Sequence, residues 1–225
     1  MHHAWGIDDI RYLIFEFFTP RGLAHLAQTC NYFFDLATHE LWKVITSFSP
    51  FIFCLPPDFS RRPLQTADIK RLNFYSSKVR HISLLGRTGA KAIRLPFHDQ
   101  KRRPKDPAKL WKDLWGEIAK LRPRSDFLPN IQSIRMDDVG EAILMPLMEI
   151  SGSNITKIYM RAIHYKPEPF ISNFLDQLQC APRLEYLFVK DGEDFVPPKL
   201  IIQSPLKHLR LDPRIHAGKF EYLTL

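Results

Sequence analysis

The hexapeptide Ile131-Gln-Ser-Ile134-Arg-Met136 has apolar residues at its first, fourth and sixth positions. The same arrangement recurs at five other places in the 225-residue chain, and these copies begin at Val79, Ile155, Leu184, Leu206 and Phe220. Apolar residues at alternating positions predict a short β-strand that buries one of its faces. We therefore expect a series of similar strands from residue 77 onward.

The spacing of the hexapeptides indicates a repeat architecture. Those that begin at residues 131, 155, 184 and 206 are separated by 24, 29 and 22 residues, which lie in or near the range of leucine-rich repeats. One strand with its connection cannot bury both apolar faces, whereas stacked units bury them in a continuous core. The 52-residue gap before residue 131 predicts a hidden repeat around Ile93-Arg-Leu95, and the final gap of 14 is too short for a full repeat.

Helical patterns separate the predicted strands. The first helix begins at Asp106-Pro107 and carries an apolar stripe formed by Leu110, Leu114, Ile118 and Leu121. Two further stripes, over residues 139–150 and 170–178, predict two more helices. A doubly wound α/β sheet would also alternate strands and helices, but it does not predict one hexapeptide at near-constant spacing.

The first fifty residues predict three short helices rather than strands. The first has Ile10, Ile14, Phe17 and Phe18 on one face. Thr19 and Pro20 suit the N-cap and first turn of the second helix, and the third contains Phe33, Phe34 and Leu41-Trp42. Three such short helices cannot cover this many phenylalanines, and surplus apolar surface indicates a partner or a neighbouring domain.

The order of these residues resembles the F-box, the motif that docks a protein onto the Skp adaptor of cullin–RING ubiquitin ligases. Positions that match or are similar to the motif are Asp9, Ile10, Ile14, Phe15, Phe18, Leu23, Leu26, Ala27, Cys30, Phe33 and Leu41-Trp42. Gly6-Ile7 stands in place of the opening Leu-Pro of the motif, and Gly22 in place of its usual Asp. The hexapeptides resemble the irregular leucine-rich repeats that follow an F-box in fungal proteins.

The resemblance implies a substrate-recognition subunit of a Skp–cullin–F-box (SCF) ubiquitin ligase, located in the cytoplasm or nucleus. It is an interaction protein and not an enzyme, because ubiquitin transfer belongs to the ligase partners, and no cofactor is implied. The residues expected to bind the Skp adaptor, and cullin through it, are Ile7, Ile10, Ile14, Phe18, Pro20, Leu23 and Leu26. Strand residues expected to bind a protein substrate are Arg135, Tyr159, Tyr186, Phe188, His208 and Arg210.

The predicted fold class is α+β. A three-helix F-box-like domain spans residues 1–50, a linker and connecting helix span 51–76, and an irregular leucine-rich-repeat solenoid with an incomplete last repeat spans 77–225. The consensus repeat places an Asn or Cys after the hexapeptide to hydrogen-bond the backbone between repeats. Here Met136 and Leu211 are each followed by Asp.

Positive charge is concentrated in one block. Residues 61–124 carry a net charge of +13, whereas residues 1–60 carry −3 and residues 125–225 carry −2. The basic peak near 97–106 reads either as an exposed loop or as a patch for nucleic acid or acidic partners. Two rival functions therefore stay open: a repeat protein with a helical cap and no ligase role, and a nucleic-acid or acidic-partner binder through 61–124.

Candidate catalytic chemistry is sparse in the sequence. The three cysteines lie far apart without a C-x-x-C, which fits a reducing compartment, and the histidines show no metal-ligand spacing. Gly86-Arg-Thr-Gly89-Ala-Lys91 lacks the spacing of a phosphate-binding loop. The longest apolar runs are too short to span a bilayer, and no signal peptide is expected.

Overall fold

The computed structural model describes residues 8–56, 58–59, 62–85, 114–118, 120–121, 127–137, 154–161, 182–190 and 206–211. Its strands are β1 (Val44–Ile45), β2 (His81–Leu85), β3 (Ser133–Asp137), β4 (Lys157–Arg161), β5 (Tyr186–Lys190) and β6 (His208–Leu211). Each of β2–β6 begins two residues after the start of a hexapeptide, so five of the six predicted strands are confirmed. The sixth, at Phe220, lies outside the described residues, as does the basic loop near 97–106.

The six strands form one parallel sheet in which chain order and spatial order are the same, β1-β2-β3-β4-β5-β6. A doubly wound sheet reverses its strand order at a switch point. The six described strands have no such reversal. The molecule is therefore a mixed helix and strand protein built on a small parallel sheet, whose strands are added one after another in a single direction.

The prediction of a hidden repeat strand around Ile93 is wrong. β2 pairs directly with β3 over all five of its residues, from His81 opposite Ser133 to Leu85 opposite Asp137. A strand from the intervening segment would have to separate them. Residues 93–95 themselves lie outside the described residues.

Each step between units repeats the same hydrogen bonds. The carbonyl of Gln132 accepts from the backbone N–H groups of Thr156 and Lys157, and the carbonyl of Thr156 accepts from those of Glu185 and Tyr186. Arg80 and Glu185 do the same at the steps before and after. These four residues all occupy the second position of a hexapeptide. The same local geometry therefore recurs from each of these strands to the next.

Alternate strand residues form one side of the main core. Ile82, Ile134, Ile158 and Leu187 are register neighbours and are fully buried. The first residue of each hexapeptide lies in the same core, which is why the pattern begins two residues before its strand: Val79, Ile131, Ile155 and Leu184. Burial of these branched side chains is the main term that holds the units together.

A helical segment over residues 114–118 packs onto the main core beside the aromatic residues Phe51 and Phe127. Leu114 and Ile118 are buried and Leu121 packs against the core, as the apolar stripe predicts. Trp115 meets Phe127 edge to face at 4.6 Å, and Phe127 meets Phe51 at 5.3 Å. The start of the predicted helix at Asp106-Pro107 and the stripes over 139–150 and 170–178 lie outside the described residues.

Five helices precede or flank β1 and β2: α1 (Asp8–Glu16), α2 (Pro20–Leu26), α3 (Asn31–Lys43), α4 (Ser49–Phe53) and α5 (Thr66–Ser76). Thr19 caps α2 as predicted, because its Oγ1 accepts from the backbone N–H of Gly22 at 3.1 Å. Pro20 occupies the first turn, where its missing N–H costs nothing. α5 lies within residues 51–76, where the sequence predicts a connecting helix.

The predicted apolar face of α1 is partly wrong. The helix ends at Glu16, and Phe17 and Phe18 lie in the turn that follows. The side chain that faces inward is Phe15, which is 2% exposed. It forms a small core with Leu23 and Ala37 that is separate from the main core.

The sheet also begins earlier than predicted. β1 lies within the segment expected to be purely helical, because the chain leaves α3 and pairs immediately with β2. The carbonyl of Lys43 accepts from the backbone N–H of Arg80 at 3.0 Å, and Trp42 stacks on Tyr75 at 4.5 Å. The last turn of α3 thus joins the helical segment to the sheet.

Asparagines in front of the hexapeptides provide bonds between units that the sequence pattern did not predict. Asn130 donates from Nδ2 to the carbonyl of Ser77 at 2.7 Å, and Asn154 donates to that of Pro129 at 2.6 Å. Arg183 then donates to Oδ1 of Asn154 at 3.0 Å. These residues occupy the position directly before three successive hexapeptides, so side-chain bonds between neighbouring segments precede these strands.

Candidate functional site

The outward face of the sheet carries a mixed basic and aromatic surface. We call it the basic aromatic face, and it consists of strand positions 133, 135, 137, 157, 159, 161, 186, 188, 190, 208 and 210. These positions alternate with the buried ones, so their side chains share the side opposite the core. Strand register arranges them in three rows across β3–β6.

The middle row places Arg135, Tyr159, Phe188 and Arg210 in register on successive strands. The Tyr159 and Phe188 rings lie 6.3 Å apart, and the Arg210 guanidinium lies 5.6 Å from the centre of the Phe188 ring. A cation over an aromatic face is held by the quadrupole of the ring. The row is therefore a continuous strip that begins and ends with an arginine.

The first row places Ser133, Lys157, Tyr186 and His208 in register. Tyr186 lies 5.0 Å from the Tyr159 ring of the middle row, at an angle of 32° between the ring planes, and 6.0 Å from the His208 ring. Four of the six residues predicted to bind substrate thus touch one another as a ring cluster. Arg210 adjoins it through Phe188, and the register places Arg135 beside Tyr159.

The third row places Asp137, Arg161 and Lys190 in register, at the carboxyl ends of their strands. The Arg161 side chain is exposed and forms no hydrogen bond or ion pair within the described ranges. Counted over all three rows, the face has five cationic side chains and one anionic side chain, Asp137, which lies 3.5 Å from Arg135.

Two titratable groups beside the face respond to its charges. The pKa of His81, on β2, is lowered first by burial and then by the positive charges of Lys43, Arg80 and Lys157. The pKa of Glu185, just before β5, is lowered chiefly by the hydrogen bond that Lys207 donates at 2.9 Å. Nearby positive charges contribute to both shifts, after burial at His81 and after the Lys207 hydrogen bond at Glu185.

A second candidate surface lies on α1 and the turn after it. Three large apolar side chains are exposed there, at 59% for Leu13, 88% for Phe17 and 38% for Phe18. The Phe18 ring lies over Gly22, where an added Cβ would sit 3.0 Å from its Cδ1 atom. Gly22 thus lets the ring lie close to α2. We call Leu13, Phe17 and Phe18 the apolar helix surface.

The residues predicted to contact the adaptor have different environments. Ile10 and Ile14 are half-buried, Pro20 is exposed, and Leu26 packs at the edge of the small core. Leu23 is buried beside Phe15, so it supports the surface from beneath and does not present its side chain. Ile7 lies outside the described residues. Sequence reasoning missed Leu13 and Phe17 as exposed candidates, although the surplus of phenylalanine pointed to this segment.

Further features bear on chemistry. Within the described ranges, no group of three or more His, Cys, Asp or Glu side chains could hold a metal ion. Burial raises the pKa of the Cys54 thiol to about 11, so that side chain is a poor nucleophile at neutral pH.

No helix in the described part of the chain is long and apolar enough to cross a membrane.

Comparison of the whole chain with known proteins finds no matching family model, no matching curated protein and no matching solved structure.

Proposed function

We propose that this protein is a substrate-recruiting subunit of an SCF ubiquitin ligase. In this proposal α1–α3 are an F-box that binds the Skp adaptor, and the parallel sheet is the sheet of an irregular leucine-rich-repeat solenoid that binds a protein substrate. The chain performs no chemistry itself. It raises the effective concentration of a substrate lysine near the ubiquitin-transferring partners.

The observation that carries the proposal is the apolar helix surface. Three short helices close around Phe15, Leu23 and Ala37, and Leu13, Phe17 and Phe18 remain exposed after they have done so. An exposed cluster of large apolar side chains on a helix is a common mode of docking between proteins. It agrees with the order of residues that resembles the F-box.

The rival function, a helical cap that only seals the repeats, predicts a different burial pattern. A cap would bury Ile10, Ile14 and Phe18 against the strand units. Ile14 instead packs on the small helical core. In chain order, the main core begins with the half-buried Trp42 and the buried Ile45. This arrangement favours docking over sealing.

The direction of the sheet supports the repeat part of the proposal. Five hexapeptides give five register-matched parallel strands, each bonded to the next by the same backbone contacts. Stacked repeats of one supersecondary unit produce this order. Their outward face carries Tyr159, Tyr186 and Phe188, and aromatic side chains are enriched where proteins bind other polypeptides.

Adaptor binding by the full chain provides the test. We expect the wild-type protein to co-purify with a Skp adaptor and Phe17→Asp to weaken that binding by more than about 2 kcal/mol, the range of an interface hot spot. Because Phe17 is 88% exposed, the substitution should leave the melting temperature unchanged.

Phe53→Asp is the matched control, since Phe53 is a 52% exposed phenylalanine on α4, away from the apolar helix surface. It should retain adaptor binding. Absence of binding by the wild type, or equal binding by wild type and Phe17→Asp, would contradict the proposal.

A further inference from the structure

The chemistry of the basic aromatic face identifies the class of its ligand. Five cationic side chains and one anionic side chain project from β3–β6, with aromatic rings between them. We propose that this face binds an acidic segment of a partner protein, rich in Asp and Glu and carrying apolar side chains among them. The inference rests on the proposed function in assigning the sheet as the substrate-binding surface.

Charge complementarity is the first argument. Arg161 and Lys190 are register partners, so their strands hold two cations side by side on one face. The Arg161 side chain is exposed and has no hydrogen bond or ion pair within the described ranges, so it is available to an anionic group of a partner. Asp137 is the one acidic residue among the positions that define the face. It is the register partner of Arg161 and lies 3.5 Å from the Arg135 guanidinium.

The spread of the cations favours carboxylates over one phosphate group. Arg135, Lys157, Arg161, Lys190 and Arg210 occupy four strands and three rows. Neighbouring strands are about 4.8 Å apart, so the positive charges cover the face instead of converging on one point. Several carboxylates along an extended segment match this distribution better than one compact dianion.

The packing of the rings favours a peptide over a single-stranded nucleic acid. Base binding on aromatic platforms requires free ring faces. Here the Tyr159 and Tyr186 rings cover part of each other at 5.0 Å, and Arg210 lies over Phe188. Ring edges carry the positive end of the quadrupole, so they attract carboxylates and contact apolar side chains.

Fluorescence anisotropy with the full chain tests the inference, without any adaptor present. The probe is a labelled peptide of alternating glutamate and tyrosine. The comparison probes are the same peptide with lysine for glutamate, an otherwise uncharged phosphoserine peptide, and a single-stranded oligonucleotide. We expect the glutamate peptide to bind most tightly, and its affinity to fall as salt is raised because the exposed charges are screened.

Charge reversal locates the site. Arg161→Glu combined with Lys157→Glu, two exposed cations on β4, should weaken peptide binding at least tenfold. The matched pair Lys70→Glu and Lys120→Glu makes the same change in net charge at exposed positions on helical segments and should weaken binding less than twofold. Tyr159→Ala should weaken binding about tenfold with little change in its dependence on salt.

Four results would overturn the inference: absence of peptide binding, equal effects of the two charge-reversal pairs, tightest binding of the phosphoserine peptide, or tightest binding of the oligonucleotide. The Phe17→Asp variant separates this inference from the proposed function. It should lose the adaptor but bind the glutamate peptide like the wild type, so either activity can fail without the other.

Discussion

Two phenylalanines, two residues apart, have opposite roles in this protein. Phe15 is buried with Leu23 and Ala37, whereas Phe17 is almost fully solvent-exposed beyond the end of α1. Their chemistry is identical, so their contributions differ only through position. Removal of a buried aromatic ring loses the transfer free energy of the ring and leaves a cavity. Removal of an exposed ring loses almost no contacts.

We expect Phe15→Ala to reduce the free energy of opening of the helical segment by about 3 kcal/mol, and Phe17→Ala to change it by less than about 0.5 kcal/mol. Amide hydrogen exchange in α2 and α3 measures the difference directly. If the two variants lose protection equally, the assignment of Phe15 as the inward residue is wrong.

At the scale of elements, α5 begins with a charged network. Arg62 donates to both carboxylate oxygens of Asp68, at 2.6 and 3.0 Å, and its Nε donates to Asp58 at 2.9 Å. Asp68 also accepts from the backbone N–H of Gln65, which is otherwise without a helical partner. A bidentate pair at a helix N-terminus both satisfies a donor and opposes the positive end of the helix dipole.

The network predicts a dependence of stability on pH. The hydrogen bonds from Arg62 and then from Gln65 lower the pKa of Asp68 to about 2. Since the charged form is favoured in the folded state, its contribution is present above the ordinary pKa of 3.8 and is lost as pH falls toward 2. Asp68→Asn should therefore lower the urea midpoint at pH 7, and the difference from wild type should shrink between pH 4 and pH 2.

Asp35→Asn is the control, because that carboxylate is 69% exposed and forms a long, 3.7 Å ion pair with Lys78. Exposed pairs of this kind contribute little to stability. We expect its urea midpoint to follow the wild type at both pH 7 and pH 4. A difference between Asp68→Asn and wild type that grows toward pH 2 would contradict the assigned sign.

At the scale of the whole molecule, stability depends on coupling between successive units. Within the described residues, the backbone bonds between strands and the buried first residues of the hexapeptides link each strand to its neighbours. The Asn154 side chain connects three successive segments, since it donates to the Pro129 carbonyl and accepts from the Arg183 guanidinium. Loss of these bonds should therefore weaken the contact between neighbouring strands.

Asn154→Ala should reduce the free energy of unfolding by about 1–2 kcal/mol, because the Pro129 carbonyl and the Arg183 guanidinium each lose a partner. Gln132→Ala is the matched control, since it removes an exposed amide side chain but keeps the backbone carbonyl that bonds Thr156 and Lys157. Urea unfolding should show a change below about 0.5 kcal/mol for the control. Equal losses would indicate that the Asn154 side chain carries no coupling.

Much of the sheet could be predicted from the sequence, because the hexapeptide reports directly which residues face the core. Ile134 and Met136 had to be buried if the strand was to pack at all, and this fixed Arg135 on the other face. The same logic predicts that Tyr159, Phe188 and Arg210 share that face. What it could not predict was that β2 pairs with β3 across a long connection, since periodicity carries no information about which strands are neighbours.

The helical segment was less predictable. Helical periodicity assigned Phe17 and Phe18 to the same face as Ile14, but the helix ends at Glu16 and its inward residue is Phe15. The nine-residue helix α1 carries Ile10, Leu13, Ile14 and Phe15, which lie on most of its circumference, so its pattern does not select one face. Packing against α2 and α3 makes that selection.

The amino-acid sequence by itself determined the strands, their buried faces and the cap of α2, because each depends on residues close together in the chain. Only the tertiary structure decided the strand order, the contacts among Tyr159, Tyr186 and His208, and which phenylalanines remain exposed. The physical reason is that local patterns fix which side of an element is apolar, whereas burial is a property of the neighbours that the folded chain brings to it.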